Sequence, residues 1–472
     1  MTQSITIDPI TRIEGHARVK LDLADDGSLS SAYLVVKEIR GFERILVGMD
    51  ASRMPLITNR ICGVCPSAHH LAASKALDVI AGVSPPPAGR MLRELLYMGH
   101  VIHSHALSLF VLHGPDLMLG PDVPVANRNV VGLAQAAPEI AKKALRLRSL
   151  GQKINEKVGG RGIHPVTSVA GGMTLRLDAD AKQTLTKWID EALRLTQELA
   201  PIVDKKLTEK MATAKNAEKR WTTPSLSMGT VKNGKLNFYE GEIRAVNADG
   251  TPAMTFDVAD YQKYLSEKCV STTYMKSVFI NQSSQMVAYR VGPLARLNMA
   301  DGMETPMAEE AFGIFKKRYG SVNHNAALQI GARLVELIYA CENAKKLISS
   351  PEITGDSRVP VKFRAGRGVG HVEAPRGTLI HDYTVNDEGI VQAANLIVAT
   401  QQNSELINQT IKGSAADYVG DADDGKLLDA VEFAIRCYDP CLSCATHAMG
   451  EMPMSIEISD RDGAVRTVTR RI

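Results

Sequence analysis

The chain has 472 residues, and its 55 Lys and Arg nearly balance 52 Asp and Glu, for a formal net charge of +3. This balance excludes the basic footprint that a nucleic-acid partner requires. Seven cysteines are too few for a disulfide scaffold in so long a chain. No run of 18 apolar residues occurs and no basic, apolar leader follows Met1. We therefore expect no direct membrane span and no secretory signal, although an exported partner can carry a signal for both subunits.

The first half of the chain predicts a hairpin followed by helices. Residues 16–23 alternate between apolar and polar, Asp25-Asp26-Gly27 is a turn signal, and residues 32–39 form a second strand. Residues 68–81 predict a helix that ends at Gly82. Residues 91–112 predict a longer buried helix, and residues 138–158 another. A long amphipathic helix over 178–212 is expected to kink or break at Pro201.

The second half mixes strands and helices. Residues 221–300 predict strands and turns, 306–319 and 324–349 predict helices, and 351–403 predict loop and strand. Two short helices over 406–412 and 425–437 precede a terminal hairpin over 454–471. No repeat and no low-complexity linker is present. These features favour one large intertwined α+β domain, mainly helical, with a buried helix core and β elements near both termini.

Four cysteines fall into two C-x-x-C units at opposite ends of the chain. Cys62 and Cys65 form one unit, Cys441 and Cys444 form the other, and a histidine follows each. The two-residue spacing lets both sulfurs of a unit turn toward one point, and Gly63 permits a close backbone approach. Four converging thiolates suit a soft transition metal.

Other interpretations of these cysteines must be weighed. A redox dithiol requires a thioredoxin-like βαβ frame, which neither unit shows. A zinc ribbon requires pairs about 15–20 residues apart, far closer than these two units. A structural zinc site with four cysteine ligands remains chemically possible. Cys269 and Cys341 stand alone and are interpreted as small packing residues.

The segments RICGVC (60–65) and DPCLSCATH (439–447) resemble the two signature motifs of nickel–iron hydrogenase large subunits. Further resemblances occur in the same order along the chain. They are DPITRIEGH (8–16), RGFE (40–43), His164-Pro165 with Gly171-Gly172, VGPL (291–294) and EAPRG (373–377). Together they span residues 8 to 447, which is most of the chain.

The resemblance implies a nickel held by Cys62, Cys65, Cys441 and Cys444. It also implies that Cys65 and Cys444 bridge to an iron that carries carbon monoxide and cyanide ligands. By position, the surrounding pocket consists of Pro375, Arg376, Leu379, Ala399 and Thr400, and Ala399 stands where many relatives have proline. His69 is expected to turn its ring toward the Cys65 sulfur. Two interpretations remain for His103 and His105, a supporting role at the metal site and ordinary core packing.

Heterolytic H2 oxidation needs a base beside a terminal thiolate, and the resemblance favours Glu14 for that role. The alternative is an ordinary salt-bridged carboxylate. Arg376 is expected to hold a cation over the metals. Its expected carboxylate partners are Asp116 and Asp439, because a buried arginine needs such pairing. An ordinary structural ion pair would be compatible with this role.

The resemblance also implies a magnesium or iron site near the C-terminal histidine. Glu43 and His447 would supply side-chain ligands, and Asn395 a backbone carbonyl. Magnesium prefers oxygen ligands, so one histidine is unusual but tolerable.

The chain has no matched cysteine set for an iron–sulfur cluster, and no helix follows Gly366-Arg367-Gly368 to form a nucleotide site. Electrons from H2 must therefore leave through an iron–sulfur small subunit. The segments KEIRGFE and EAPRGTLIHDY look most like the soluble, cytoplasmic NAD-reducing enzymes, which implies flavin- and NAD-binding diaphorase subunits. One alternative is a relative that feeds a heterodisulfide reductase or a deazaflavin. Another is a large-subunit relative in respiratory complex I, which the four cysteines argue against. A third is a non-catalytic zinc protein.

Members of the resembled family also depend on nickel-insertion factors and a maturation protease that cuts after the motif's histidine. The corresponding cut here lies after His447. The expected organisation is thus a domain over 1–447 and an extension over 448–472 that is removed on maturation.

Overall fold

The computed structural model describes residues 4–37, 41–120, 123–124, 127–214, 216–421 and 423–446, and two terminal strands over 454–459 and 465–470. Helices predominate and several small sheets lie between them, which confirms the predicted α+β class.

An antiparallel three-stranded sheet begins the chain. Its strands are β1 (Ser4–Ile7), β2 (Ala17–Leu23) and β3 (Leu29–Val36), in the order β1-β2-β3. Alternate residues of β2, including Val19 and Leu21, are fully buried, whereas Lys20 is exposed. The alternation predicted for this hairpin is therefore confirmed, as is its turn, where Gly27 has a left-handed φ of 79°.

Helices dominate the chain from residue 42 to residue 220. They are α1 (Phe42–Leu46), α2 (Met54–Thr58), α3 (Pro66–Ala81), α4 (Pro87–Ala106), α5 (Gly114–Met118), α6 (Val130–Ala136), α7 (Pro138–Gly159), α8 (Ala179–Thr213) and α9 (Ala217–Arg220). A π-helical turn, Leu107–Leu112, continues α4. Two short strands, β4 (Ser168–Val169) and β5 (Gly172–Met173), pair with each other between α7 and α8.

The following segment is mostly sheet. Its elements are β6 (Leu226–Lys232), β7 (Lys235–Leu236), β8 (Glu242–Val246), β9 (Pro252–Phe256), α10 (Tyr261–Tyr264), β10 (Leu265–Val270), β11 (Thr273–Gln282), β12 (Gln285–Val287) and β13 (Tyr289–Arg290). One sheet has the order β13-β6-β8-β9 with β7 beside β6, and a second has the order β10-β11-β12.

Helices and one more sheet complete the domain. They are α11 (Pro293–Met299), α12 (Pro306–Tyr319), α13 (Gln329–Ser349), β14 (Gly366–Ala374), β15 (Gly377–Val385), β16 (Val391–Ile397), α14 (Ala399–Gln402), α15 (Ser404–Ala415), α16 (Asp424–Tyr438) and α17 (Leu442–Ala445). Strands β14, β15 and β16 form an antiparallel sheet. The terminal strands β17 (Met454–Ser459) and β18 (Val465–Arg470) pair antiparallel, as predicted, and their turn lies outside the described residues.

The helical core is built around α4, α7, α8 and α13. Helices α4 and α7 approach closely at two glycines, because a Cβ on Gly151 would lie 2.7 Å from the Gly99 carbonyl oxygen. Of the kink or break predicted at Pro201, the break is wrong, because α8 runs unbroken past this residue, and the kink stays a prediction. Buried Leu199 and Val203 flank the proline, so packing of this face against α13 holds the helix together where the proline removes a hydrogen bond.

Among the described residues, one helical stretch, Pro87–Leu112, has the length and apolar content needed to cross a membrane. In the fold, 78% of its most apolar 18-residue window is buried, which is typical of a core helix.

Strand β14 packs closely on α3. A Cβ on Gly370 would lie 2.3 Å from the Ala72 carbonyl oxygen and 2.4 Å from the Ala76 backbone nitrogen. This contact matters for the site, because Cys65 caps the N-terminus of α3 and Arg376 follows the end of β14.

We expect Gly370→Ala to destabilise the domain by roughly 1–3 kcal/mol, because the new methyl group has no space between β14 and α3. Gly366→Ala is the matched control, since a Cβ at this position of the same strand meets nothing within 4 Å. Thermal unfolding of both variants measures the effect, and equal midpoints for the two would contradict the close packing.

Candidate metal centre

The two C-x-x-C units meet in the buried interior. Cys62 follows a 3-10 turn, Cys65 caps α3, and Cys441 and Cys444 lie at the start and within α17. All four side chains are buried. The Sγ atoms lie 3.1 Å apart for Cys62 and Cys441 and 3.0 Å apart for Cys65 and Cys444, and all four fall within 4.8 Å of one another. The predicted convergence of the four sulfurs is therefore present.

The buried thiols influence one another strongly. Hydrogen bonding from the Cys441 thiol holds the pKa of Cys62 well below its usual range. Burial raises the pKa of Cys441 and of Cys444 well above the usual thiol range. Four buried thiolates cannot therefore exist together without a positive charge among them, which is what a metal cation supplies.

The N-terminal segment holds the second unit in place. The backbone N–H of Leu442 donates to the Glu14 carbonyl oxygen over 3.2 Å, and the N–H of Ser443 donates to the Glu14 carboxylate over 3.0 Å. Gly15 permits this approach, because a Cβ there would lie 2.8 Å from the Leu442 Cβ. Glu14 thus contacts the backbone of the two residues that follow Cys441.

A small cavity adjoins three of the sulfurs. It is lined by Cys65, Cys441, Cys444, Ala374, Val398, His69 and the five pocket residues expected from the sequence, which are Pro375, Arg376, Leu379, Ala399 and Thr400. Thr400 also fixes the second unit, because its hydroxyl oxygen accepts a hydrogen bond from the Cys441 backbone N–H over 3.0 Å. The structure thus assembles the expected pocket next to the cysteines.

Arg376 lies in the two-residue turn between β14 and β15 and is held by Asp439. Its Nε donates to the Asp439 carbonyl oxygen over 2.6 Å, and its Nη2 donates to the carboxylate over 2.9 Å. Burial would lower the pKa of Arg376, but Asp439 and the neighbouring thiols raise it above its usual value, so the side chain stays charged. Among the described residues, its buried Nη1 has no acceptor. This free donor in the cavity wall suits an anionic or polar ligand there.

The expected pairing of Arg376 with Asp116 is wrong. Asp116 instead accepts hydrogen bonds from Arg12 over 2.6 Å and from Arg436 over 2.9 Å. Although burial would raise the pKa of Asp116, Arg436 and Arg12 hold it below its usual value. The physical reason is that two other arginines already engage Asp116, while Asp439, the left-handed C-cap of α16 with φ 50°, pairs with Arg376. Asp116 braces the segment that carries Glu14 rather than the cation over the cavity.

His69 contacts the sulfur of the other unit. Its Nε2 lies 3.4 Å from the Cys444 Sγ, which corrects the expectation that it faces Cys65. His69 lies in the first turn of α3, and its ring contacts α17 at Cys444. His105 is instead occupied by Glu336, whose carboxylate lies 2.8 Å from the His105 Nε2.

Two of the three residues expected to bind a second metal, Glu43 and Asn395, lie close together. Glu43 on α1 accepts a hydrogen bond from the Leu396 backbone N–H over 2.8 Å, directly beside Asn395 on β16. The Asn395 side chain donates to the Tyr261 hydroxyl over 2.9 Å, so the side-chain amide is engaged away from Glu43. His447 lies outside the described residues.

Sequence reasoning missed a buried ionic network behind the cavity. Arg296 pairs with Glu336 over 2.6 Å and with Glu373 over 2.9 Å, and all three side chains are fully buried. Arg296 also donates to the carbonyl oxygens of Ala374 and Pro375, over 3.0 and 3.2 Å. It therefore fixes the turn that presents Arg376. The available signal was Glu336, a charged residue among the apolar residues in the first half of α13.

Comparison with known proteins agrees with this geometry. A family model described as nickel-dependent hydrogenase matches residues 40–128 and 235–447, and a model described as HoxL-like matches residues 4–39. The chain belongs to the nickel-dependent hydrogenase family. The resemblance inferred from the two cysteine motifs is thereby confirmed.

Relatives with different electron acceptors are similar to this chain. The matching chain of the F420-non-reducing hydrogenase vhu from Methanococcus voltae is 42% identical over 87% of this chain and 98% of its own length. The NAD-reducing hydrogenase HoxS subunit beta of Cupriavidus necator is 35% identical over 98% of each chain. A crystal structure of an NAD+-reducing NiFe hydrogenase in the H2-reduced state superposes with a TM-score of 0.90 at 36% identity, over 94% of this chain and 100% of that one.

We expect Cys62→Ser to lose most of its nickel and its H2 activity, because a serine hydroxyl does not ionise near neutral pH and is a poor ligand for a soft metal. Cys269→Ser is the matched control, since Cys269 is half-buried and lies outside the four-sulfur cluster. Metal analysis and H2 turnover test both variants. Full nickel content in Cys62→Ser would remove this residue from the ligand set.

Proposed function

We propose that the chain is the catalytic large subunit of a nickel–iron hydrogenase that oxidises H2 reversibly to two protons and two electrons. The observation that carries this proposal is the buried cluster of four sulfurs beside a small cavity in a member of the nickel-dependent hydrogenase family. Cys62, Cys65, Cys441 and Cys444 would hold the nickel and the iron. When bound, the Ni–Fe centre with its carbon monoxide and cyanide ligands supplies the redox chemistry that cleaves H2.

The surrounding residues bind, orient and exclude water. Pro375, Leu379 and Ala399 give the cavity an apolar wall that leaves little room for water. Arg376, fixed by Asp439, directs a charged N–H donor into the same space. This arrangement suits cyanide ligands, whose nitrogen atoms accept hydrogen bonds.

We assign the proton-accepting role to Glu14. Its carboxylate is anchored by the Ser443 N–H, and the residue is only partly buried. Asp116 and Arg12 support this position, because Arg12 lies two residues before Glu14 and its guanidinium is paired with buried Asp116.

Glu14→Gln should lower H2 turnover and H/D exchange by about 100-fold or more while the metals are retained. The amide oxygen can still accept the Ser443 hydrogen bond, but the side chain cannot carry a proton. Glu405→Gln is the control, because Glu405 is also half-buried and also accepts one hydrogen bond, from Ser277. Turnover within about twofold of the wild type in Glu14→Gln would place the base elsewhere.

A magnesium or iron ion near Glu43, the Asn395 carbonyl and His447 forms part of the same proposal. The hydrogen bond between Glu43 and the Leu396 N–H supports it, since it places the carboxylate beside the strand that carries Asn395.

Electrons would leave through an iron–sulfur small subunit, followed by flavin- and NAD-binding diaphorase subunits in the cytoplasm. Support for NAD as the acceptor comes from the NAD-reducing relative, which matches almost the whole chain, and from the structural similarity at a TM-score of 0.90. A second candidate acceptor is favoured by the 42% identity to an F420-non-reducing hydrogenase. In that case the chain would serve a partner that uses neither NAD nor F420.

Purification of the native complex distinguishes the two acceptors. We expect a diaphorase subunit to co-purify and H2 to reduce NAD. A complex without a flavin subunit that reduces neither NAD nor F420 under H2, yet reduces an artificial dye, would contradict the NAD assignment and leave the hydrogenase assignment standing.

The residues after His447 form a separate unit in this proposal, removed by a maturation protease after nickel-insertion factors have loaded the site. The family match ends at residue 447, and the described strands β17 and β18 pair with each other. We expect the intact mass of the active subunit to correspond to a chain that ends at His447. An active protein that still ends at Ile472 would show that the extension is permanent.

A further inference from the structure

A row of buried hydrogen bonds leads from Cys444 away from the cavity. The Cys444 Sγ lies 3.4 Å from the His69 Nε2, and the His69 Nδ1 lies 3.0 Å from the His381 Nε2. The His381 Nδ1 in turn lies 2.6 Å from the Tyr383 hydroxyl oxygen. All of these side chains are buried, so water does not compete for the contacts.

The row depends on two elements that pack on each other. His69 lies on α3, whereas His381 and Tyr383 are alternate residues of β15 and therefore share one face of the strand. The His69 and His381 rings are tilted by 48°, and the Tyr383 ring stands edge-on to His381 at 89°.

With a thiolate as the first atom, only one set of hydrogen-bond directions along the row gives each contact a donor and an acceptor. A neutral imidazole has one N–H donor and one acceptor nitrogen, and a thiolate can only accept. If the Cys444 sulfur is a thiolate, the His69 Nε2 must donate to it. The His69 Nδ1 then accepts from the His381 Nε2, and the His381 Nδ1 accepts from the Tyr383 hydroxyl. Burial raises the pKa of Tyr383 above its usual value, so that hydroxyl keeps its proton.

We propose that His381 and Tyr383 are positioning residues that fix the tautomer of His69, so that His69 presents an N–H to the Cys444 sulfur. The inference rests on the proposed function, because it takes Cys444 to be a metal-bound thiolate. A donated N–H withdraws electron density from that sulfur and from the metals it binds. Weakening the donor should leave the iron richer in electrons and shift its carbon monoxide stretching band to lower wavenumber.

The first test compares two tyrosine variants of the metal-loaded complex by infrared spectroscopy. Tyr383→Phe removes the donor at the far end of the row and should lower the carbon monoxide band while the nickel and iron contents stay the same. Tyr339→Phe is the control, because Tyr339 is equally buried and its hydroxyl lies 3.2 Å from Glu304, outside the row. We expect no shift in the control.

A second set of variants separates this role from simple packing. The amide N–H of His381→Gln can donate to His69 without help from Tyr383, so its band should stay near the wild-type position. In that background, adding Tyr383→Phe should cause no further shift. His381→Leu lacks the donor and should shift the band. The single variants His381→Gln and His381→Leu test the role of the donated N–H even if Tyr383→Phe does not load metals.

Unshifted bands in both Tyr383→Phe and His381→Leu would overturn the inference. The inference would also be overturned if Tyr383→Phe shifted the band equally in the wild-type and the His381→Gln backgrounds. That result would show that Tyr383 does not act through His381. The absence of carbon monoxide and cyanide bands from the wild-type complex would instead defeat the proposed Ni–Fe centre, so the two failures are distinguishable.

Discussion

The structure depends on holding four buried sulfurs within 4.8 Å of one another although they come from opposite ends of the chain. Three of the four buried thiols, those of Cys65, Cys441 and Cys444, resist ionisation. The chain itself must therefore supply the geometry before a metal can stabilise it. The supporting contacts serve this end. Glu14 and Gly15 hold the second unit through the backbone of Leu442 and Ser443, and α3 carries the first unit against β14.

The charged side chains around the cavity are also held in fixed positions. Arg376 is the cation nearest the sulfurs in the cavity wall, and it is fixed from both sides. Asp439 binds its guanidinium, while Arg296 binds the carbonyl oxygens of the preceding turn and is itself paired with two buried glutamates. Loss of one partner in such a network leaves an uncompensated buried charge, which is far more costly than loss of a surface ion pair. This rigidity suits a site that must stabilise charge without rearranging.

The sequence predicts those features that are set by local pattern or by motif. The hairpin of β2 and β3 follows from alternation and its turn, and α3 from its periodicity and the glycine at its end. The cysteine units and the lining of the cavity follow from motifs that match a family. Tertiary placement decides the rest. Whether Asp116 pairs with Arg376 or with Arg436 depends on how α16 ends. Whether His69 contacts Cys65 or Cys444 depends on how α3 faces α17. Neither is encoded in spacing along the chain, and Pro201 shows that packing can override a local signal.

The central claim is that the four sulfurs hold a Ni–Fe centre, and elemental analysis combined with infrared spectroscopy of the purified native complex tests it most directly. We expect nickel and iron bound to this chain, together with carbon monoxide and cyanide stretching bands. A protein that contains zinc alone and shows no such bands would contradict the claim.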